Sequence, residues 1–484
     1  MSIYQINERV GLVGQEPGST RLRQGGDSIL ADYPGKQSGL SDSRVVIGIL
    51  TLCYAVMCAD RTIVSTLGEA IKRDLSLTDT QLGILGGPSF AILYALSTIP
   101  IARLSDRHSR AKILSIAVAF WSVATALCAS ATSFIMLSVL RAAVGVGESG
   151  CSPAAQSLIS DYVPRERRAF AISMFYVGIP IGFLGGATLA GSVAVHYGWR
   201  IAFAVVGAPG TLLALAVLAF VKEPPRGRFD DEGSVGPPPS LADVLRAMWV
   251  APGVKFIVAG LIGSSFVLYS MAQFLHPLFV RAFGLPYAKA ALAFGIIVAA
   301  SSVIGAPLGG ALVERLGRRD PRWAAWLPSI GFTVTAPLYV MGVLQSSWPV
   351  LCSCLFIGGV TSNLHHGPTF ACVYDRIGPQ MRATATAVMM LMSTIIGMGL
   401  GPLLAGVASD WFAAHAFAGD YATCTAVLAA STKVACARAS STGLRFALAS
   451  IACLYLFAAL MYGVAARRMR SHSVTAPRTG LLAR

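Results

Sequence analysis

The chain has 484 residues, of which 55% are apolar and only 13% charged, with a mean hydropathy of +0.64. A soluble domain carries about 25% charged residues, so this composition points to a polytopic membrane protein and leaves no length for a large soluble domain. The 38 Lys+Arg against 23 Asp+Glu give a net charge of +15; on so apolar a chain this excess does not indicate nucleic acid, and no nucleic-acid partner is expected.

In chain order, residues 1–44 are polar and lack the basic stretch and short apolar core of a secretory signal, so they read as a disordered tail. Twelve apolar runs of roughly bilayer length follow: Val45–Ile71, Gln81–Arg103, Ala111–Ala131, Phe134–Ser160, Ala169–Val195, Ile201–Val221, Val254–Phe283, Ala290–Val313, Trp323–Leu344, Pro349–Val373, Ala383–Ala408 and Leu444–Ala466. Residues 223–251, with the string Pro237-Pro238-Pro239, are a linker. They divide the chain into a six-helix bundle at 45–222 and another at 252–467, before a tail at 468–484. The fold class is all-α, with 12 transmembrane helices in two pseudo-symmetric bundles. With the amino terminus inside, 28 basic residues fall on that side and 8 on the other, leaving Arg61 and Arg141 within spans. The positive-inside bias therefore places both termini in the cytoplasm and the protein in the inner, or plasma, membrane.

An internal repeat supports the division. Asp161, Arg168, Ala169 and Ala171 recur as Asp375, Arg382, Ala383 and Ala385; Asp106, Arg107 and Arg110 recur as Glu314, Arg315 and Arg318. Parallel six-helix repeats are the mark of a transporter with its substrate site between the halves. No Gly-x4-Gly-Lys-Ser/Thr loop is present, nor a zinc or serine-hydrolase motif. An ATP-driven pump encoded in this chain is thereby excluded, and no cofactor or metal is expected. Gly145-x-Gly147-x-x-Gly150 lies in an apolar run, so it reads as helix packing and not as a dinucleotide loop. The same holds for the glycine series at 178, 182 and 186, at 305 and 309, and at 397 and 401.

Four ionisable residues stand out inside apolar runs: Asp60, Arg61, Arg141 and Glu148. Each costs about 2.5–3.5 kcal/mol at a helix centre unless it is paired or faces water. Arg141 and Glu148 are seven residues apart and share one helix face, about 10 Å apart along the axis. The four charges sum to zero. Protonation of a carboxylate would leave an arginine free for an anionic group. Glu148 is expected to be the main proton carrier, coupled to Arg141, with Asp60 and Arg61 assisting; the alternative is a static network that fixes helix packing. In the second half, Tyr269, Gln273 and His276, with Asn363 and His365, are expected to supply neutral substrate recognition. Adjacent His365 and His366 diverge by about 100° on a helix and read as hydrogen-bonded packing. Cys424 and Cys436 share the longest external loop, where a disulfide is open to geometry.

At Ala102 to Ala111, where Asp106, Arg107 and Arg110 match and two signature glycines are replaced, the chain resembles the major facilitator superfamily. Gly310, Glu314, Arg315, Gly317 and Arg318 form the degenerate second copy. Asp60-Arg61, the run Arg141, Gly145, Gly147, Glu148, and Arg382-Ala383 with Ala385 and Ala387 are most similar to its Spinster-like branch. The resemblance implies alternating access by rocking of the halves, with helices 1, 4, 7 and 10 lining the cavity. Asp106, Arg107, Arg110, Arg168, Glu314, Arg315 and Arg382 are expected at a cytoplasmic gate, topology alone being the plainer reading of their charge. The expected function is secondary transport of a small anionic or amphiphilic organic solute, coupled to protons. The partners are that solute, protons and the lipid bilayer, and the protein is expected to be a monomer. A nutrient organic-acid/proton symporter and a non-transporting sensor on the same fold are the alternatives.

Overall fold

The computed structural model describes residues 42–226, 228–229, 240–419, 421–425 and 430–469. Both polar tails, apart from their last or first residues against the bundle, and the proline string of the linker lie outside these residues. Among the described residues every regular element is helical.

Ten helical stretches are long and apolar enough to cross a bilayer. Phe170–Phe220 contains two of the crossings: its 51 residues are more than twice the length one crossing needs, and Gly198 turns the chain at φ +80°, where an L side chain would be strained. Trp348–Asn363 and His366–Tyr374 together form another crossing, interrupted at Leu364–His365. Twelve spans result. Spans 1 to 4 are Ser43–Asp74, Asp79–Ser105, Arg110–Ser130 and Phe134–Tyr162. Spans 5 and 6 are the halves of Phe170–Phe220, and spans 7 to 9 are Val254–Phe283, Tyr287–Gly317 and Trp323–Leu344. Span 10 is the interrupted pair, and spans 11 and 12 are Thr384–Ala416 and Ser431–Arg468. Below, the terminal face is the one where span 1 begins and span 12 ends.

Local chemistry sets the ends. Asp42 accepts the Arg44 N–H at 2.9 Å to start span 1, and Thr78 with Gln81 forms a reciprocal capping box at span 2. Span 1 continues three residues past the apolar run because Glu69 finds a partner in the other half and Lys72 one at the start of span 2. One element was not expected: the linker contains a helix, Leu241–Val250, with Ser240 as its N-cap.

Packing between spans relies on small residues, since lipid offers no hydrophobic drive for helix association. Gly178, Gly182 and Gly186 of span 5 lie against span 1, Gly305 and Gly309 of span 8 against span 10, and Gly397 and Gly401 of span 11 against span 7. The two halves meet along spans 1 and 7, 2 and 11, and 5 and 8.

Candidate functional site

The four embedded charges of the first half converge between spans 1 and 4, in a pairing different from the expected one. Arg61 Nε donates to Glu148 Oε2 at 2.7 Å, and Arg141 Nη1 donates to Asp60 Oδ1 at 3.4 Å. Glu148 therefore pairs across to span 1 and not with Arg141 on its own helix. Two turns separate Arg141 from Glu148, whereas adjacent Asp60 and Arg61 point in different directions and each takes one partner. Thr125 of span 3 donates to Asp60 Oδ2 at 2.7 Å. Phe90 of span 2 lies between the cations, 5.4 Å from Arg61 Cζ and 5.2 Å from Arg141 Cζ, and Tyr94 sits 5.1 Å from Arg61 Cζ. Close approach of span 4 to span 2 permits this: a methyl at Gly145 would lie 2.5 Å from the Phe90 carbonyl oxygen.

Burial is unequal within the quartet. The Glu148 side chain is 0% exposed and Asp60 and Arg141 are each 2% exposed, while Arg61 retains 20%. Glu148 Oε1, Arg61 Nη2 and Arg141 Nε have no hydrogen-bond partner. Arg61 is thus the most exposed cation of the quartet, and Glu148 is the carboxylate that holds it. Tyr54 of span 1 stacks on Phe175 at 4.4 Å and meets Tyr176 edge-on at 5.5 Å, giving an aromatic wall on the same half.

Of the residues expected from the second half, Tyr269 lies within electrostatic reach of Arg61. Gln273, one turn farther along span 7, is buried against Gly86 of span 2 with Nε2 unpartnered. His276 lies about 10 Å beyond Tyr269 along the helix; it is fully buried, with Nε2 3.3 Å from the Tyr287 carbonyl oxygen. Asn363 donates to the Gly359 carbonyl at 2.8 Å, and His366 Nε2 lies 3.1 Å from its Oδ1. His365 Nδ1 is 2.7 Å from the Ser362 carbonyl, and its ring packs 5.2 Å from Phe332. The structure therefore keeps Tyr269 within electrostatic reach of Arg61, Gln273 against span 2, and His276, Asn363 and His365 in the packing of the second half.

At the terminal face the described bonds of the expected gate residues lie within their own halves. Arg110 turns inward beneath span 4, pairing with Asp161 and with Glu223 at 2.7 Å, and donating to Ser157 Oγ at 2.9 Å. It ties spans 3, 4 and 6 of one bundle and does not bridge the halves. Arg168 donates to the Ser160 carbonyl at 3.0 Å, and Arg382 to the Tyr374 carbonyl at 3.2 Å. Glu314 makes an exposed pair with Arg318 at 2.8 Å, Arg107 and Arg315 are exposed, and the Asp106 side chain lies outside the described residues.

The opposite face holds a cluster that the sequence reading missed. Arg281 of span 7 makes a bidentate pair with Asp79 at the start of span 2, both contacts 2.6 Å, and bonds Glu69 of span 1 at 2.6 Å. Lys72 and Ser409 complete Asp79, each at 2.6 Å. Asp410 of span 11 accepts the backbone N–H groups of Asp79 and Thr80 at 3.1 and 2.8 Å and the Thr80 hydroxyl at 2.7 Å, at the positive end of the span 2 dipole. Arg281 also reaches Ser440 of span 12 at 3.2 Å. Every one of these links except Lys72–Asp79 and Arg281–Ser440 crosses between the halves. Glu69 and Arg281 lay inside the predicted spans, but near ends where charges are ordinary. An acid and an arginine inside the apolar runs, at the matching ends of spans 1 and 7, were the available signal. Cys424, in the short helix Tyr421–Thr425, and Cys436, in the first turns of span 12, are joined by a disulfide, their Cα atoms 5.7 Å apart.

Residues 50–402 match the family model described as Major Facilitator Superfamily. An MFS-type efflux pump of Mycolicibacterium smegmatis is 28% identical over 75% of this chain and 84% of its own. Protein spinster homolog 1 of Bos taurus is 27% identical over 81% and 79%. Among solved structures, a bacterial homolog of the human lysosomal transporter Spinster, inward-facing and unoccupied, superposes with a TM-score of 0.79 at 31% identity, covering 90% of this chain and 98% of that one. The nucleoside transporter NupG shares the fold alone, with a TM-score of 0.65 at 13% identity. The chain belongs to the Major Facilitator Superfamily, in its Spinster-like branch.

Proposed function

We propose that the protein is a proton-coupled secondary transporter that carries an anionic or amphiphilic organic solute, chemically unchanged, across the cytoplasmic membrane by alternating access. Both termini are cytoplasmic in this reading, and the monomer is the working unit. The observation that carries it is the Arg61–Glu148 pair, a partly exposed cation held by a fully buried carboxylate whose second oxygen is unpartnered. A proton on Glu148 cancels the charge that holds Arg61, and the guanidinium, which cannot itself deprotonate, turns to the anionic group of the solute. Asp60 keeps Arg141 neutralised through the same step. Phe90, Tyr94, Tyr54 and Tyr176 give an apolar portion of the solute a surface to lie against. Likeness to an efflux pump supports export as the direction.

Ligands are first identified by thermal shift of the purified protein with carboxylates, phosphate esters and lysolipids. Hits are then assayed in proteoliposomes loaded with a pH-sensitive dye. The wild type should move protons when solute is added, and Glu148→Gln should lose at least 90% of that movement, or about tenfold, while still binding the solute. Full solute-driven proton flux in Glu148→Gln overturns the assignment.

A further inference from the structure

The linker helix Leu241–Val250 buries Val244 and Met248 against spans 7 and 11 but leaves Leu241, Leu245 and Trp249 exposed, Trp249 at 69%. At about 100° per residue these five side chains form one continuous apolar arc, with Asp243 on the opposite side and Arg246 beyond its Trp249 edge. The exposed stripe therefore continues the protein's lipid-facing surface at the level where span 7 begins.

Cations gather at the end of this helix. Gly253, at φ +85°, folds the chain back against the end of span 12, where a methyl would lie 3.1 Å from the Ala465 carbonyl. That turn brings Lys255 Nζ to 5.0 Å from the Trp249 ring and 5.6 Å from the Phe256 ring, while Arg468 Cζ sits 5.5 Å from the same Phe256 ring. Lys255, Arg467 and Arg468 are exposed, and among the described residues none of them has a carboxylate partner. Arg467, next to Arg468 in the chain, heads a groove between spans 9 and 12, about 240 Å³, whose walls include Trp326, Ser329, Thr333, Leu460 and Gly463. Unpaired cations on aromatic rings, an exposed tryptophan and an apolar groove below them match the layers of a phospholipid: phosphate, glycerol level and acyl chain.

We propose that this corner is a binding site for anionic phospholipid: the linker helix lies in the head-group layer on its apolar stripe, and Lys255 and Arg468 take the phosphate. The groove headed by Arg467 receives an acyl chain. Nothing in the transport reading requires the site, and its test does not depend on the solute.

The test uses the full protein reconstituted in phosphatidylcholine–phosphatidylglycerol vesicles, with either lipid brominated to quench nearby tryptophan. The Trp249 contribution is the difference between wild type and Trp249→Phe. Brominated phosphatidylglycerol should quench that contribution more than brominated phosphatidylcholine at equal mole fraction. The preference should fall about fivefold with Lys255→Gln and again with Arg468→Gln, the share of one basic residue at a charged surface. Equal quenching by the two lipids, no quenching of Trp249 by either, or an unchanged preference in the double variant each overturns the proposal.

Discussion

Phe90 holds two guanidiniums on one ring, an arrangement that costs Coulomb energy unless each cation keeps its own acid. Asp60 and Glu148 supply those acids, so the quartet is neutral as a unit and unstable to loss of any one member. The four residues were legible in the sequence because each interrupts an apolar run. Their pairing was not, because the seven-residue spacing of Arg141 and Glu148 describes one helix and carries no information about what stands across from it. A second ion-pair knot, at the terminal face, gives a pH prediction. Glu223 is partly buried, which works against its charge, yet the Ala111 N–H, the Arg110 guanidinium and the Ser109 hydroxyl hold it below the ordinary value of 4.5. A carboxylate depressed on folding stabilises the protein above its unfolded value, and that contribution fades as pH falls from about 4.5 through the folded value. The melting temperature should therefore drop on acidification below about pH 4.5, and Glu223→Gln should flatten that part of the profile while lowering stability near neutrality. An identical acid limb in the variant would contradict the account.

Span 2 shows how an element can act as a latch. Its first turn is capped from the other half by Asp410, and its early residues press on span 11 so closely that a methyl at Gly83 would collide with the Pro402 carbonyl, and one at Gly406 with the Asp79 carbonyl. At Gly87 a methyl would lie 2.6 Å from the Gly399 carbonyl. Backbone oxygens cannot step aside, so Gly406→Ala should pry the start of span 2 away while leaving each bundle folded. Amide hydrogen exchange over 79–87 should rise about tenfold or more, with span 9 unchanged; unaltered exchange over 79–87 would count against the latch. Of the elements, the twelve spans were legible from apolar length alone, and the glycine series was rightly read as packing. The linker helix was not, although its apolar residues recur at helical spacing behind Ser240, because ten residues are too few to cross a bilayer and follow a proline string. Nor was the interruption of span 10 at Leu364–His365, where an apolar run passes over a broken helix.

At the scale of the molecule, the described ion pairs between the halves all lie on the face opposite the termini. The described pairs of Arg110 and Glu314 at the terminal face stay within one bundle. On the proposed alternating access this is the asymmetry of one of two states, and one sequence serves both, so no sequence reading could have said which. Arg281 is the hub: it alone contacts Asp79, Glu69 and Ser440, linking spans 1 and 2 to spans 7 and 12. Removing one partner of a buried pair costs about 3–5 kcal/mol, because the remaining charge is left uncompensated. That cost falls on the state closed at this face, since the opposite opening lets water reach Glu69 and Asp79. A bias of that size moves a two-state equilibrium by a factor of hundreds to thousands. Arg281→Gln should therefore favour the state open at the face opposite the termini. A reporter cysteine at Tyr269, beside the central charges, in a background stripped of the eight free cysteines, measures it. A membrane-impermeant maleimide added to the opposite face should label Tyr269→Cys about tenfold faster or more when Arg281→Gln is present, and more slowly from the terminal face. Lysine at 281 keeps the charge but not the bidentate fork and should give an intermediate rate. Equal labelling from the opposite face with and without Arg281→Gln would mean that the halves are held shut by the glycine contacts of spans 2 and 11, with the ion pairs only following them.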